Sequence, residues 1–492
     1  MKPKHVYFRF FFLALLLLFT GLEYSATALE EMRILVFPFK NSGNPDYSWI
    51  SAGITDTVIS DLSRLNNVSV ITDGDRRKAI REIELGMTGL VSEATSVKAG
   101  KITGANLIFT GSYQVFGKRV RVNGRLIDVA SQVIKRSIKV DGTMGGLMEL
   151  QDRVVLKMMS QAEQVKIANV KRVTFDKRDH QQIKKGFRPS PEAYKYYCMG
   201  LEAYEKSHWK AFSSFKRAVK LEPRYFKAVL ALGDLSNNRG DPAGALRYFN
   251  RAAGLLKISS LKGSADEALL LNSLGMVYWN RGDYQRALGY AEKSLGVFKR
   301  LSQDQSYLAA VTAIHLKGSS YRALKQFQPA LKSYLEAKGI LQSKGFSRST
   351  GYAGIVINLG AFYMNTRDYK MALKYYRESI AVWKSIGMEN SQGTAYAECE
   401  MGNVYSGLGK HRTGVRYLLQ GLKKCERLGL QNTMNYAAYN WYLAYIYHGQ
   451  LNDSCRGLKY IKRSTKIYKA LKHPNAVSAD QSVRMMQQRC GR

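Results

Sequence analysis

The spacing of apolar residues changes character near residue 190. Before it, short buried runs alternate with helical stretches. Met32-Arg-Ile-Leu-Val-Phe-Pro-Phe39 predicts a buried strand ending at its proline, and 68–71 predicts another. Between them, over 50–65, apolar residues recur at helical spacing with Asp56 and Asp61 left outside. Helices are predicted over 76–85 and 92–103, and strands over 106–113, 119–129 and 132–140. The turn Asp128-Val-Ala-Ser-Gln132 joins the last two strands, and a helix over 144–165 closes the unit. Residues 32–163 therefore read as an α/β domain with an antiparallel portion, its helices packed on a sheet.

Beyond residue 190 the period is helical throughout, and the pattern copies itself. The segments MGLEAYEKSHWKAFSSFKRAV, LGDLSNNRGDPAGALRYFNRA, LGMVYWNRGDYQRALGYAEKS and LGAFYMNTRDYKMALKYYRES show the shared frame. A small residue opens each of seven copies, at Gly200, Gly233, Gly275, Gly318, Gly360, Gly402 and Ala444. The gaps between them are 33, 42, 43, 42, 42 and 42 residues. An aromatic follows three residues later at Tyr278, Tyr321, Tyr363, Tyr405 and Tyr447. A second small residue follows twelve later at Ala245, Ala287, Ala330, Ala372 and Gly414. Two antiparallel helices approach closely only where both carry small side chains, and the aromatic fills the space beside the crossing. The intervening RGDP, RGDY and TRDY stretches end one helix and cap the next with Asp. The prediction is an all-α superhelical solenoid of seven helix pairs over 191–470, followed by a tail over 471–492.

These residues resemble the tetratricopeptide repeat, whose period is 34. Most gaps here are about eight residues longer, adding roughly 12 Å of helix per repeat. That long form is similar to the repeats of kinesin light chains. The resemblance implies a groove for a peptide or protein segment, lined by the first helix of each pair. Positions expected to point into it hold Asn237, Asn238, Asn272, Asn280, Asn358, Asn365 and Asn403, with His315 and Arg322 among them. A side-chain amide both donates to and accepts from a peptide backbone, which suits capture of an extended chain. Asn238, Asn280 and Asn365 adjoin turns and read equally well as turn residues.

The stretches RILVFPF, GITDTVISDLSRL with VSVITD, and GLVSEATSVKAGKITGANLIFTGSYQVFGKRVRVNGRLIDVASQV carry a second resemblance. They are similar to the amino-terminal domain of TolB and its relatives in the FlgO and CsgG families of envelope proteins. That group ends its pattern with hydrophobic-Asp-x-x-x-Gly, where this chain has Gln132 in place of the glycine. The resemblance implies envelope-associated assembly or scaffolding. A curli-type pore also needs a lipid anchor and long membrane hairpins, and the sequence displays neither.

Charge and targeting signals narrow the reading. Seventy-five Lys+Arg against thirty-eight Asp+Glu give a formal charge of +37, a field that favours polyanions such as anionic lipid, lipopolysaccharide or nucleic acid. Lys2, Lys4 and Arg9 precede the apolar run 10–19, and Ala26-Thr27-Ala28 follows it. This order reads as a secretory signal peptide over 1–28, with an uncleaved membrane anchor as the alternative. Residues 164–190 form a basic linker, with Lys171, Arg172, Lys177, Arg178, Lys184 and Lys185 as a candidate contact to an anionic surface and Phe175 and Phe187 as its anchors.

Chemistry is harder to find. Gly111 to Gly117-Lys118 has one residue too many for a phosphate-binding loop and continues with Arg119. No HExxH or GxSxG motif occurs, and the seven histidines do not pair at ligand spacing. Cys198, Cys399, Cys425, Cys455 and Cys490 are sparse and odd in number, so neither a zinc site nor a disulfide framework is indicated. The sequence thus predicts an exported, non-enzymatic scaffold without metal or cofactor, binding a protein or peptide segment at the periplasmic or outer-membrane side. Its rivals are a basic adaptor for polyanions and an outer-membrane secretion component.

Overall fold

The computed structural model describes residues 29–491 except 64, 66–67, 72–74, 77–78, 81–82, 84–92, 184–186, 205–206, 258–261, 302–306, 472 and 474. The expected signal peptide and the candidate cations Lys184 and Lys185 lie outside the described residues, as does most of the helix expected over 76–85. Six strands make one sheet: β1 (Met32–Val36), β2 (Lys40–Asn41), β3 (Val68–Val70), β4 (Leu107–Phe116), β5 (Arg119–Asp128) and β6 (Ile134–Thr143). The order is β3-β1-β4-β5-β6, with β2 beside β4. β1 runs parallel to β3 and β4, whereas β4, β5 and β6 are antiparallel, so the mixed sheet expected from the sequence is present.

Alternation along β1 sends neighbouring side chains to opposite faces of this sheet. Met32, Ile34 and Val36 pack under α1 (Trp49–Leu62) and, with β4 to β6, under a long helix near residue 150; Leu35 and Phe37 pack on the other side with α2 (Glu93–Thr103). The long helix is α3 (Leu147–Ala162). After α3 the chain does not run free. Val165, Val173, Phe175 and Ile183 are buried, α4 (Lys177–Ile183) forms a short helix, and Arg188 bonds Glu149 and Asp152 at 2.6 Å each. The stretch expected as a solvated linker is a strap across α3. Phe175 belongs to the core and not to a surface anchor, because its ring completes the apolar cluster beneath the strap.

Fourteen helices then pair off as α5 (Pro191–Ala203) with α6 (His208–Leu221), α7 (Phe226–Asn238) with α8 (Pro242–Lys257), and α9 (Ala265–Asn280) with α10 (Tyr284–Phe298). Next come α11 (Tyr307–Ala323) with α12 (Phe327–Ser343), and α13 (Thr350–Asn365) with α14 (Tyr369–Ser385). α15 (Gln392–Gly407) pairs with α16 (His411–Arg427), and α17 (Met434–Tyr445) with α18 (Ser454–Ala470). The opening glycine of a repeat is demanded by the ring that faces it. A Cβ on Gly233 would stand 2.3 Å from the Phe249 ring, and one on Gly360 would stand 2.6 Å from that of Tyr376. The tyrosine three residues later stacks on a tyrosine of the second helix, as in Tyr278–Tyr290, Tyr363–Tyr375, Tyr405–Tyr417 and Tyr447–Tyr460, with centroids 5.1 to 5.7 Å apart. First helices of successive repeats touch one another, α9 with α11, α13 with α15 and α15 with α17. The second helices meet the first helix of the next repeat instead, so the first helices form the inner layer of the curve.

Two features depart from the expected layout. The tail is a helix, α19 (Asn475–Cys490), covering α18 and joined to it by a Cys455–Cys490 disulfide. The α/β domain is also not a separate module, because each of its helical layers packs on a different part of the solenoid. α1 and α3 meet the first repeats: the Tyr194 hydroxyl donates to Gln151 at 2.8 Å, and Lys227 pairs with Asp56 at 2.9 Å. On the other face Arg33 donates to the carbonyls of Gly104 at 2.6 Å and Lys344 at 3.2 Å, with its guanidinium 5.2 Å from the Phe346 ring. Lys344 in turn pairs with Glu31. The contacted residues lie at or near the starts of first helices, so the domain clasps one rim of the solenoid.

Candidate functional site

The inner layer carries a polar ladder that runs from repeat to repeat. Asn238 donates to the Tyr204 hydroxyl at 3.0 Å, and Asn280 to the Asn237 side-chain oxygen at 3.4 Å. Asn358 lies 2.9 Å from His315 Nε2 and donates at 2.9 Å to the Gly354 carbonyl. The Tyr439 hydroxyl donates to Glu400 at 3.0 Å. Each contact between side chains of adjacent repeats joins successive turns of the superhelix. The amide nitrogens of Asn358 and Asn280 are therefore engaged within the protein. Asn272 is buried, while Asn365, Asn238 and Asn280 are exposed at helix ends.

The ladder changes character around Glu400, which the sequence reading passed over. Glu400 stands two residues before its repeat's opening Gly402, the register held by Asn358 in the repeat before and by Tyr442 in the repeat after. Tyr442 is 53% exposed, so this register reaches the surface in the last repeat. Asn403 donates to Glu400 at 3.4 Å, and Arg322 supplies the opposing charge. Burial nevertheless pushes the Glu400 carboxyl above its ordinary pKa, outweighing the bonds from Tyr439 and Asn403 and the attraction of Arg322. Burial also raises the Tyr439 hydroxyl, with the Glu400 charge adding to it. Three neighbouring polar atoms are buried without an acceptor or donor: Arg322 Nε, the Tyr376 hydroxyl and Asn403 Oδ1. Tyr376 belongs to a second helix, but its ring passes beside Gly360 and its hydroxyl feels the charges of both Glu400 and Arg322.

Such atoms are uncommon in a folded interior, since each buried unsatisfied group costs about 1–3 kcal/mol. Here two such donors and one acceptor accompany the Glu400 carboxylate within its electrostatic reach, and a peptide backbone carries groups of both complementary kinds. Of the expected groove residues, the structure brings together Arg322 and Asn403 here, and His315 with Asn358 one repeat earlier. Asn237, Asn272 and Asn280 belong to earlier rungs. Tyr376 and Tyr439 were hidden from sequence reasoning because they carry the apolar pattern of the repeat. Glu400 had a signal: α13, α15 and α17 bear only two charged residues, Glu398 and Glu400.

Elsewhere the chemistry is quiet. Burial pushes the Cys425 thiol up to about 12 and raises those of Cys198 and Cys399, which leaves them protonated and unreactive. Among the described residues no three His, Cys, Asp or Glu stand where they could hold a metal ion, and no helix is long and apolar enough to cross a membrane. Lys171, Arg172, Lys177 and Arg178 are exposed; Arg172 donates to the Glu163 carbonyl at 2.8 Å, and Arg178 pairs with Asp176 at 3.4 Å. Phe187 is 53% exposed, with its ring 5.9 Å from that of Tyr225.

Comparison with known proteins agrees with both halves of this architecture. Residues 266–343 and 352–427 match the family model for the tetratricopeptide repeat. Residues 19–142 match that for CsgG, the curli production assembly/transport component. A protein of Rhizobium meliloti (strain 1021) described as a candidate adenylate cyclase is 25% identical over 218 residues, which make up 42% of this chain and 33% of that one. The chain thus spans about a third of that relative's length. Similar solved structures include the apo form of RapI, 17% identical with a TM-score of 0.48, covering 57% of this chain and 99% of that one. A tetratricopeptide repeat protein from Parabacteroides merdae is 14% identical with a TM-score of 0.43, covering 60% and 99% respectively. The chain therefore joins an amino-terminal CsgG-family domain to a solenoid of tetratricopeptide repeats.

Proposed function

We propose that this protein is a non-enzymatic adaptor of the cell envelope that holds an extended protein segment in the inner groove of its solenoid. The observation that carries the reading is the set of buried, unpartnered polar atoms of Arg322, Tyr376 and Asn403 around Glu400. These atoms are covered in the free chain, so a bound backbone meets them once the side chains above them shift on binding, and it then supplies the acceptors and donors they lack. The amino-terminal domain serves assembly and keeps the solenoid's rim rigid, and the groove on the later repeats stays open. Export through a cleaved signal peptide, with Leu29 as first residue, is part of the same reading. The Cys455–Cys490 disulfide supports it, because such bonds persist in oxidising compartments. The cyclase activity ascribed to the relative is not carried over, since only a third of that protein is shared.

The test uses the mature full-length chain on an array of peptides drawn from envelope proteins. The double substitution Arg322→Ala with Asn403→Ala is expected to lower binding of the retained peptides at least tenfold, at about 0.7 kcal/mol or more per contact. Undiminished binding by a folded double variant overturns the groove reading.

A further inference from the structure

Charge is distributed unequally between the two layers of the solenoid. In the last three repeats the inner helices α13, α15 and α17 contain no Lys or Arg, whereas those of earlier repeats carry Lys195, Lys227, Lys317 and Arg322. The outer helices of the last three repeats hold four in α14, five in α16 and six in α18, against only Glu378 and Glu426. Lys374, Arg412, Lys423, Lys459, Lys462 and Lys466 are exposed and, among the described residues, have no ion-pair partner. Gathering so many like charges on one face raises the self-repulsion of the fold. From this asymmetry we propose that the outer face formed by α14, α16 and α18 docks on an anionic phospholipid bilayer.

Two observations favour a bilayer over a nucleic acid. Leu419 on α16 and Leu471 just beyond α18 are 37% and 44% exposed within the basic face, and apolar side chains among cations suit the boundary between headgroups and acyl chains. The tyrosines beside these cations are also unavailable for base stacking, because Tyr417 is already stacked on Tyr405 and Tyr460 on Tyr447. The face spreads over three neighbouring outer helices, so it meets a plane of headgroups and not a single strand. Docked this way, the chain turns its inner groove away from the membrane. The basic stretch after α3 is a weaker contact, since Arg172 and Arg178 there are already bonded.

The experiment is co-sedimentation of the mature full-length chain with vesicles of phosphatidylglycerol and phosphatidylcholine in equal parts. Each cation near an anionic membrane is worth roughly fivefold in affinity, so Lys459→Gln, Lys462→Gln and Lys466→Gln together are expected to weaken binding roughly a hundredfold. These three side chains touch no carboxylate, so the melting temperature is expected to stay close to that of the parent. The pair Lys171→Gln and Lys177→Gln is expected to have only a few-fold effect. The proposal is overturned if the triple variant binds like the parent or if the α3-strap pair causes the larger loss. It is also overturned if vesicles of phosphatidylcholine alone bind equally, or if a duplex oligonucleotide is preferred at equal phosphate.

Discussion

Gln132 holds its backbone at φ 60° in the turn between β5 and β6, a left-handed conformation that a side chain with a Cβ resists. The turn is secured by its N–H to the Asp128 carbonyl at 2.8 Å. Glycine adopts this conformation without steric penalty. Gln132→Gly is expected to raise stability by about 1 kcal/mol, less the greater freedom glycine adds to the unfolded chain. Thermal melts check this, and a lowered midpoint would show that the turn tolerates glutamine without strain. This position was legible in the sequence because turn chemistry is local.

Glu400 poses the opposite case, for its environment comes from three repeats at once. Its raised pKa means that the folded chain holds a proton to higher pH than the unfolded chain does. That contribution to stability is present at acid pH and is lost as pH rises through the folded value. Glu400→Gln keeps the acceptor for Tyr439 and adds a donor toward Asn403 Oδ1. The variant is expected to gain stability over the parent as pH rises from the ordinary glutamate range to neutrality, with the advantage vanishing below that range. Melts of both proteins across that interval test the sign, and a parent that is the more stable at neutrality would contradict it.

At the scale of elements, helix pairs were legible because small-residue spacing and helical period recur in every copy. Contacts between distant elements were not. Nothing local to Arg33 announces that its side chain crosses to Lys344 and Phe346 in the fifth-repeat junction. Nor does anything in the polar composition of 471–492 announce a capping helix. Arg33 is 5% exposed, and its removal leaves the Gly104 and Lys344 carbonyls without this donor. Arg33→Ala is expected to cost about 1–3 kcal/mol. In a stack whose repeats contact mainly their neighbours, the loss should appear locally. Amide hydrogen exchange should quicken in α2 and around 344–349 before it does in α17 and α18, whereas uniform quickening would show that the rim contact is not a local latch.

At the scale of the molecule, the amino-terminal domain bridges the early repeats and the middle of the solenoid and so stiffens the curve. The later repeats hold buried polar atoms without partners in and beside their inner layer and an excess of positive charge on their outer helices. The two features belong to different helices of the same pairs, so the two proposals place their partners on opposite layers of the solenoid. Their existence was partly legible: the inward asparagines and the total charge are plain in the sequence. Their arrangement was not, because the Asn358–His315 and Tyr439–Glu400 rungs depend on how neighbouring repeats stack. The most direct measurement is amide hydrogen exchange on the full-length chain, free and saturated with a peptide selected on the array. The account predicts added protection along α11, α13 and α15 and at the start of α17, with α16 and α18 unchanged. Protection confined to the outer helices or to the amino-terminal domain would contradict it.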